Sequence, residues 1–126
     1  MEGLSAHSSD MLQPPQPPDW SHNTFKGMGA QVLAMRVDVS NAEAMKALAD
    51  AVLARFGAPH FVFNNAGVGS GGLIWENSLA DWEWVVGVNL MGVAHGVRVF
   101  TPMMLEAAKQ DHTYQGHIVN TASMAG

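Results

Sequence analysis

Phe61-Val62-Phe63-Asn64-Asn65-Ala66-Gly67 is the stretch whose reading decides the fold. Its three leading apolar residues predict a short strand buried on both faces, as in a parallel sheet. The two asparagines bring hydrogen-bonding groups to the end of that strand, and such groups need partners. Ala66 and Gly67 then expose bare backbone at the strand's carboxyl end. In open α/β sheets that edge is where ligands bind.

Two later stretches extend the pattern. Val86-Gly87-Val88-Asn89-Leu90-Met91-Gly92 places an asparagine inside an apolar run. His117-Ile118-Val119-Asn120-Thr121-Ala122-Ser123 reads as another strand with hydroxyls at its end. Taken in this order, the motifs resemble the middle of a short-chain dehydrogenase/reductase, over about Gly29 to Gly126. A complete enzyme of that family is about twice as long, so the resemblance implies a fragment. A length of 126 residues allows at most one domain.

Composition narrows the function classes. Hydrophobic residues make up 48% and charged residues 13%, which excludes a chain disordered throughout. A net charge of −5 argues against nucleic acid or an anionic membrane surface as partner, because phosphates call for Lys and Arg. There is no cysteine, so thiol chemistry is excluded; this fits a reducing cytoplasm. The most apolar window, 84–105, is interrupted by Asn89, His95, Arg98 and Pro102 and does not read as a membrane span.

Residues 1–26 are expected to form a disordered, proline-rich leader, with 27–126 as a partial Rossmann-like domain. The run Gln13-Pro14-Pro15-Gln16-Pro17-Pro18 favours an extended polyproline path. It lacks the basic flank of an SH3 ligand, so it reads as a solvated tail.

Val32-Leu33-Ala34-Met35-Arg36-Val37 predicts a strand, with Asp38-Val39 at its carboxyl end. Ser40-Asn41-Ala42-Glu43 has the form of a capping box. Met45, Leu48, Ala49, Val52, Leu53 and Phe56 then recur as one helical stripe, closed by Gly57 and Pro59. A second capping box, Ser78-Leu79-Ala80-Asp81, opens a long apolar helix to Gln110, with a break expected near Pro102. That helix is apolar nearly all round and is expected to be buried on more than one side. Gly92 and Gly96 permit another backbone to approach it closely. The fold class is therefore α/β: a partial, doubly wound parallel sheet of about three strands with two long helices.

Gly67, Gly69 and Gly72 match G-x-G-x-x-G literally. That fingerprint needs a helix opening at its last glycines and a second strand ending in an acid. Leu73–Asn77 shows no helical stripe, so the segment reads as a loop beside the site. A methyltransferase built on this loop is a weaker alternative. Tyr114 is the single tyrosine; four residues on stands Ile118, not Lys, and it precedes Ser123. His112 and His117 have no third ligand at metal spacing, and no metal site is expected.

The resemblance implies chemistry that these patterns alone do not. It implies hydride transfer between NAD or NADP and a small carbonyl or alcohol substrate. Ser123 takes the place of the family's catalytic serine and Asn89 that of its relay asparagine. Asp38 and Val39 stand where the family holds the adenine half of the cofactor. Asn64, Asn65, Ala66 and Gly67 stand where it lines the nicotinamide side. The family's long helix forms a subunit interface, implying homo-oligomers through residues 80–110. Neither the family's Tyr-x-x-x-Lys nor its phosphate-binding glycine turn occurs in this sequence. The chain alone is thus expected to be inactive, with a non-catalytic module that pairs with a full-length relative as the alternative.

The family's strand order is 3-2-1-4-5-6-7, and this chain has counterparts of strands three, four and five. At about 4.8 Å per strand, the first of these would lie roughly 14 Å from the second. A collapsed 3-4-5 sheet, with both helices on one face and the other face bare, is the expectation.

Overall fold

The computed structural model describes residues 20–123. Most of the expected leader, residues 1–19, lies outside that range. Its last part, Trp20–Lys26, is not extended: helix α1 spans Trp20–Gly27. The dense prolines end at Pro18, and nothing after them prevents helical hydrogen bonding. The helix ends with Met28 N–H on Thr24 O, and Gly29 follows at a φ of 83°. The chain divides into two units between Ala34 and Met35, eight residues beyond the boundary expected at 26/27.

The second unit holds helix α2 (Ala42–Phe56), strand β1 (Phe61–Asn64), helix α3 (Leu79–Val86), helix α4 (Gly92–Gln110) and strand β2 (His117–Asn120). The strands pair in parallel, with Phe61 opposite His117 and Asn64 opposite Asn120. The partial α/β architecture holds, but two strands pair among the described residues rather than about three. Residues 32–37 form no ladder. A strand is made by its neighbour at about 4.8 Å, and this run meets none among the described residues. Its end still contributes apolar surface, because Val37 and Val39 pack on the core.

That core is Met45 and Ala49 of α2 with Phe100 and Met104 of α4. Val62 and Ile118, neighbours across the two strands, pack against it. The cap of α2 sits one residue later than the sequence pattern suggests. Asn41 accepts from Ala44 N–H, while Ser40 turns back to Asp38. Asparagine and serine cap about equally well, and Asp38 draws the serine away. The capping box of α3 forms as expected between Ser78 and Asp81. Gly57 closes α2 at a φ of 80°, a conformation that favours glycine.

The helix from 79 to 110 departs from expectation in three ways. It does not break at Pro102, which lies inside α4. Proline removes one helical hydrogen bond, and here Phe100 and Met104, packed on either side of it, hold the helix to the core. The helix does open earlier, at the π-helical turn Gly87–Met91. It is also buried along one stripe only: Val88, Gly92, His95, Gly96, Phe100 and Met104 face inward, while Leu90 is 62% and Leu105 is 60% exposed.

Strand β1 is likewise covered on one face and not both. Val62 and Asn64 are half-buried, but Phe61 is 59% and Phe63 is 55% exposed. The core helices α2 and α4 meet Val62 and Ile118, so the odd-numbered side chains of β1 are left uncovered, while the collapsed three-stranded 3-4-5 sheet does not form among the described residues.

Candidate active site

The site is assembled at the carboxyl ends of the two strands. Thr121 N–H donates to Asn64 O at 3.0 Å, carrying the ladder one step beyond the strands. The Asn64 side chain donates from Nδ2 to Asn120 Oδ1 at 2.8 Å. It lies flat on helix α4: a Cβ at Gly96 would fall 2.1 Å from Asn64 Oδ1. Gly92 seats Val39 in the same way, its Cβ position lying 2.7 Å from Val39 Cγ2. The close approach expected at these glycines is therefore made by side chains of the same chain.

On the next residue the bonding repeats. Thr121 Oγ1 donates to Asn65 Oδ1 at 2.7 Å. The strand exits are thus tied together by three hydrogen bonds, and Ser123 follows two residues later, exposed.

Asn89 holds the other side. It lies in the π-helical turn, where a widened backbone commonly marks a functional site. Its Oδ1 accepts from Val68 N–H at 2.9 Å, and its Nδ2 donates to Val68 O at 2.8 Å. One side chain thereby satisfies both backbone groups of the residue after Gly67. Gly67 itself is close by, its Cβ position 3.7 Å from Asn89 Oδ1. Asn89 is exposed, so its amide is not an interior one.

Asp38 sits at the end of the 32–37 run. Ser40 Oγ donates to its Oδ1 at 2.7 Å and Ser40 N–H to the same oxygen at 2.9 Å. These bonds hold the carboxyl below the usual carboxylate range, the hydroxyl contributing most. Oδ2 keeps its lone pairs for another donor.

A cavity of about 340 Å³ runs along β1, lined by side chains of both its faces and so by its outer edge. Val39, Asn65 and Ala66 share its lining, with Met45, Leu48 and Phe100 deeper in the core. Of the eight residues singled out from sequence, the structure brings four, Val39, Asn64, Asn65 and Ala66, to one cavity. It brings Gly67 and Asn89 together, and places Asp38 just past the 32–37 run and Ser123 three residues past β2. The walls of the cavity are mainly apolar, with Asn64 and Asn65 among its lining. No Lys or Arg lines it.

Tyr114 is at the other end of the strands. Its hydroxyl donates to Pro59 O, and its ring lies 4.7 Å from that of His60. Burial pushes its pKa up, the opposite of what a proton-transferring tyrosine near neutral pH requires. Among the described residues, no three His, Asp or Glu side chains converge as metal ligands. The loop from Gly67 to Gly72 leads to no helix until Leu79, so the G-x-G-x-x-G match lacks its structural context.

The family model for short-chain dehydrogenases matches residues 17–126. The chain belongs to this family. A short-chain dehydrogenase/reductase from Burkholderia phymatum, solved in complex with NAD, is 56% identical, with a TM-score of 0.74 over 82% of this chain and 35% of its own. A metagenomic short-chain oxidoreductase in complex with NADP is 32% identical, with a TM-score of 0.72 over 81% of this chain and 44% of its own. The C alpha-dehydrogenase of Sphingobium sp. strain SYK-6 is 37% identical over 81% of this chain and 32% of its own length. The short-chain dehydrogenase sequence here therefore spans roughly a third of the relatives it matches. Among its described residues, no helix is long and apolar enough to cross a membrane.

Asn120, Thr121 and the seating role of Gly96 were not singled out by sequence. The register was the missing signal: once Phe61 pairs with His117, Asn64-Asn65 must face Asn120-Thr121.

Proposed function

We propose that this chain is the central part of an NAD(P)-dependent oxidoreductase acting on a small carbonyl or alcohol. The observation that carries the reading is the gathering of separate motifs at one sheet edge: Asn89 clamped to Val68 beside Gly67, and Asn65 bonded to Thr121 just before Ser123. The nicotinamide cofactor, when bound, supplies or accepts the hydride. Asp38 and Val39 would hold the adenine half of the cofactor, Asp38 as a hydrogen-bond acceptor. Asn65, Ala66 and Gly67 line the nicotinamide half. Ser123 Oγ donates to the substrate oxygen and steadies the charge that develops there. Asn89 fixes the loop and keeps the helix open, so that a backbone carbonyl of the π-helical turn can hold a relay water.

A proton must also reach the substrate oxygen, and this sequence places no donor at the edge. Tyr114 is committed to Pro59 at the far end. With no phosphate-binding glycine turn in the sequence and no Lys or Arg along the cavity, the 126-residue chain alone is expected to hold cofactor weakly and not to turn it over. Calorimetric titration with NAD and with NADP, beside an assay for nicotinamide reduction, tests this. Saturable binding of one dinucleotide without turnover is expected; binding of neither would contradict the reading. The absence of cysteine suits a cytoplasmic setting.

A second reading is favoured by the uncovered face. Phe61, Phe63 and Val119 lie exposed on it, and Trp84, Leu90 and Leu105 are exposed on the helix, where homo-oligomers would form. The chain would then act as a non-catalytic module pairing with a full-length relative. Size measurement after mixing the two decides it: no mixed species removes this reading.

A further inference from the structure

We infer that Gly92 is a positioning residue for the adenine end of the site: it seats Val39 on the long helix and, through Val39, sets the place of Asp38. The inference rests on the dinucleotide reading above. Gly92 closes the π-helical turn, its N–H donating to Gly87 O. Its backbone angles, φ −58° and ψ −43°, are those of an ordinary helix, so conformation does not call for glycine there. Glycine inside a helix is weaker than alanine. Space is what calls for it. A Cβ at residue 92 would fall 2.7 Å from Val39 Cγ2 and 3.2 Å from Val39 Cβ. The other end of the turn gives the contrast. Gly87 is helical too, and a Cβ there would lie 3.4 Å from Ser40 Cβ, close to ordinary contact. Of the two glycines, only Gly92 is held to its size by the segment it meets.

The seated segment is stiff. Val39 packs on the core formed by α2 and α4. On either side of it, Ser40 donates from Oγ and from N–H to Asp38 Oδ1, and Asn41 N–H donates to Asp38 O at 3.1 Å. Asn41 in turn caps α2. With residues 38–41 bonded to one another in this way, a methyl that displaces Val39 carries Asp38 with it. The same π-helical turn bears Asn89, which bonds both backbone groups of Val68. One turn of helix therefore supports both the 38–40 segment and the loop after β1, the stretches proposed to hold the two halves of the dinucleotide.

The experiment uses the whole chain, labelled with nitrogen-15, as wild type, Gly92→Ala, Val39→Ala and the double variant. Each is titrated with adenosine monophosphate, the adenine half of the cofactor alone. In Gly92→Ala the amide cross-peaks of residues 38–41 are expected to move, while those of residues 117–120 stay in place. Affinity is expected to fall about three- to tenfold, the worth of the hydrogen bond lost at Asp38. Val39→Ala trims the side chain that the new methyl would strike. In that background Gly92→Ala is expected to lower neither the affinity nor the thermal midpoint any further. A merely structural glycine would give the same loss in both backgrounds, and that result would overturn the proposal. Unmoved cross-peaks at residues 38–41 in Gly92→Ala would overturn it as well. If the wild type takes up no adenosine monophosphate, the dinucleotide reading fails, while the cross-peaks and midpoints still decide whether Gly92 seats Val39.

Discussion

The two faces of the β1–β2 pair come from alternate residues of the same short strands, yet they have opposite fates. On one face Val62 and Ile118 join the core of Met45, Ala49, Phe100 and Met104, and Asn64 and Asn120 bond to each other. On the other, Phe61 and Phe63 are more than half exposed. Apolar character therefore does not predict burial here. What separates the faces is which of them the two core helices reach.

The comparison can be broken most directly by truncating both faces. Phe100→Ala opens a cavity in the covered face and is expected to cost about 3–5 kcal/mol, read by urea unfolding. Phe63→Ser on the bare face should change stability by no more than about 0.5 kcal/mol and reduce self-association in light scattering. Equal costs for the two would show that something covers the second face.

A smaller effect sharpens the role of the tied strand ends. Gly96→Ala drives a methyl into Asn64 and is expected to cost about 1–3 kcal/mol as overpacking. Asn89→Ala removes two hydrogen bonds to Val68 and should cost about 1–2 kcal/mol. Its sharper signature is lost hydrogen-exchange protection at the Val68 amide with β1 and β2 unaffected.

The smallest effect is electrostatic. Ser78 bonds hold the Asp81 carboxyl below its usual pKa, and Ser40 does the same for Asp38. A carboxyl with a lowered folded-state pKa adds stability above its unfolded value, and that stability is lost as pH falls through the folded value. Thermal unfolding is thus expected to be flat from neutral pH down to about 4 and to decline below it. Asp81→Asn should lower stability slightly at neutral pH and flatten the acid slope.

Several residues of the candidate site lie where the sequence pattern placed them, at strand ends or in the turn that opens the long helix. Asn64–Gly67, Asn89 and Ser123 could be picked out because polar groups interrupt otherwise apolar runs. The α2 stripe and the Ser78–Asp81 cap were legible for the same local reason. Three features were not. Residues 32–37 look like a strand, but pairing depends on a neighbour that local pattern does not reveal. Pro102 looks like a break, but packing of Phe100 and Met104 outweighs one lost hydrogen bond. Thr121 looks like an ordinary strand-end residue, and only the register sets it against Asn65.

The central claim is that the carboxyl edge of this strand pair is a nicotinamide-dinucleotide site. Mapping amide chemical-shift changes across the 126-residue chain during titration with NAD tests it most directly. The account predicts saturable changes gathered at Asp38–Val39, Asn65–Val68, Asn89 and Thr121–Ser123. Changes confined to the loop around Ser70–Asn77, or none at saturating NAD, would contradict it.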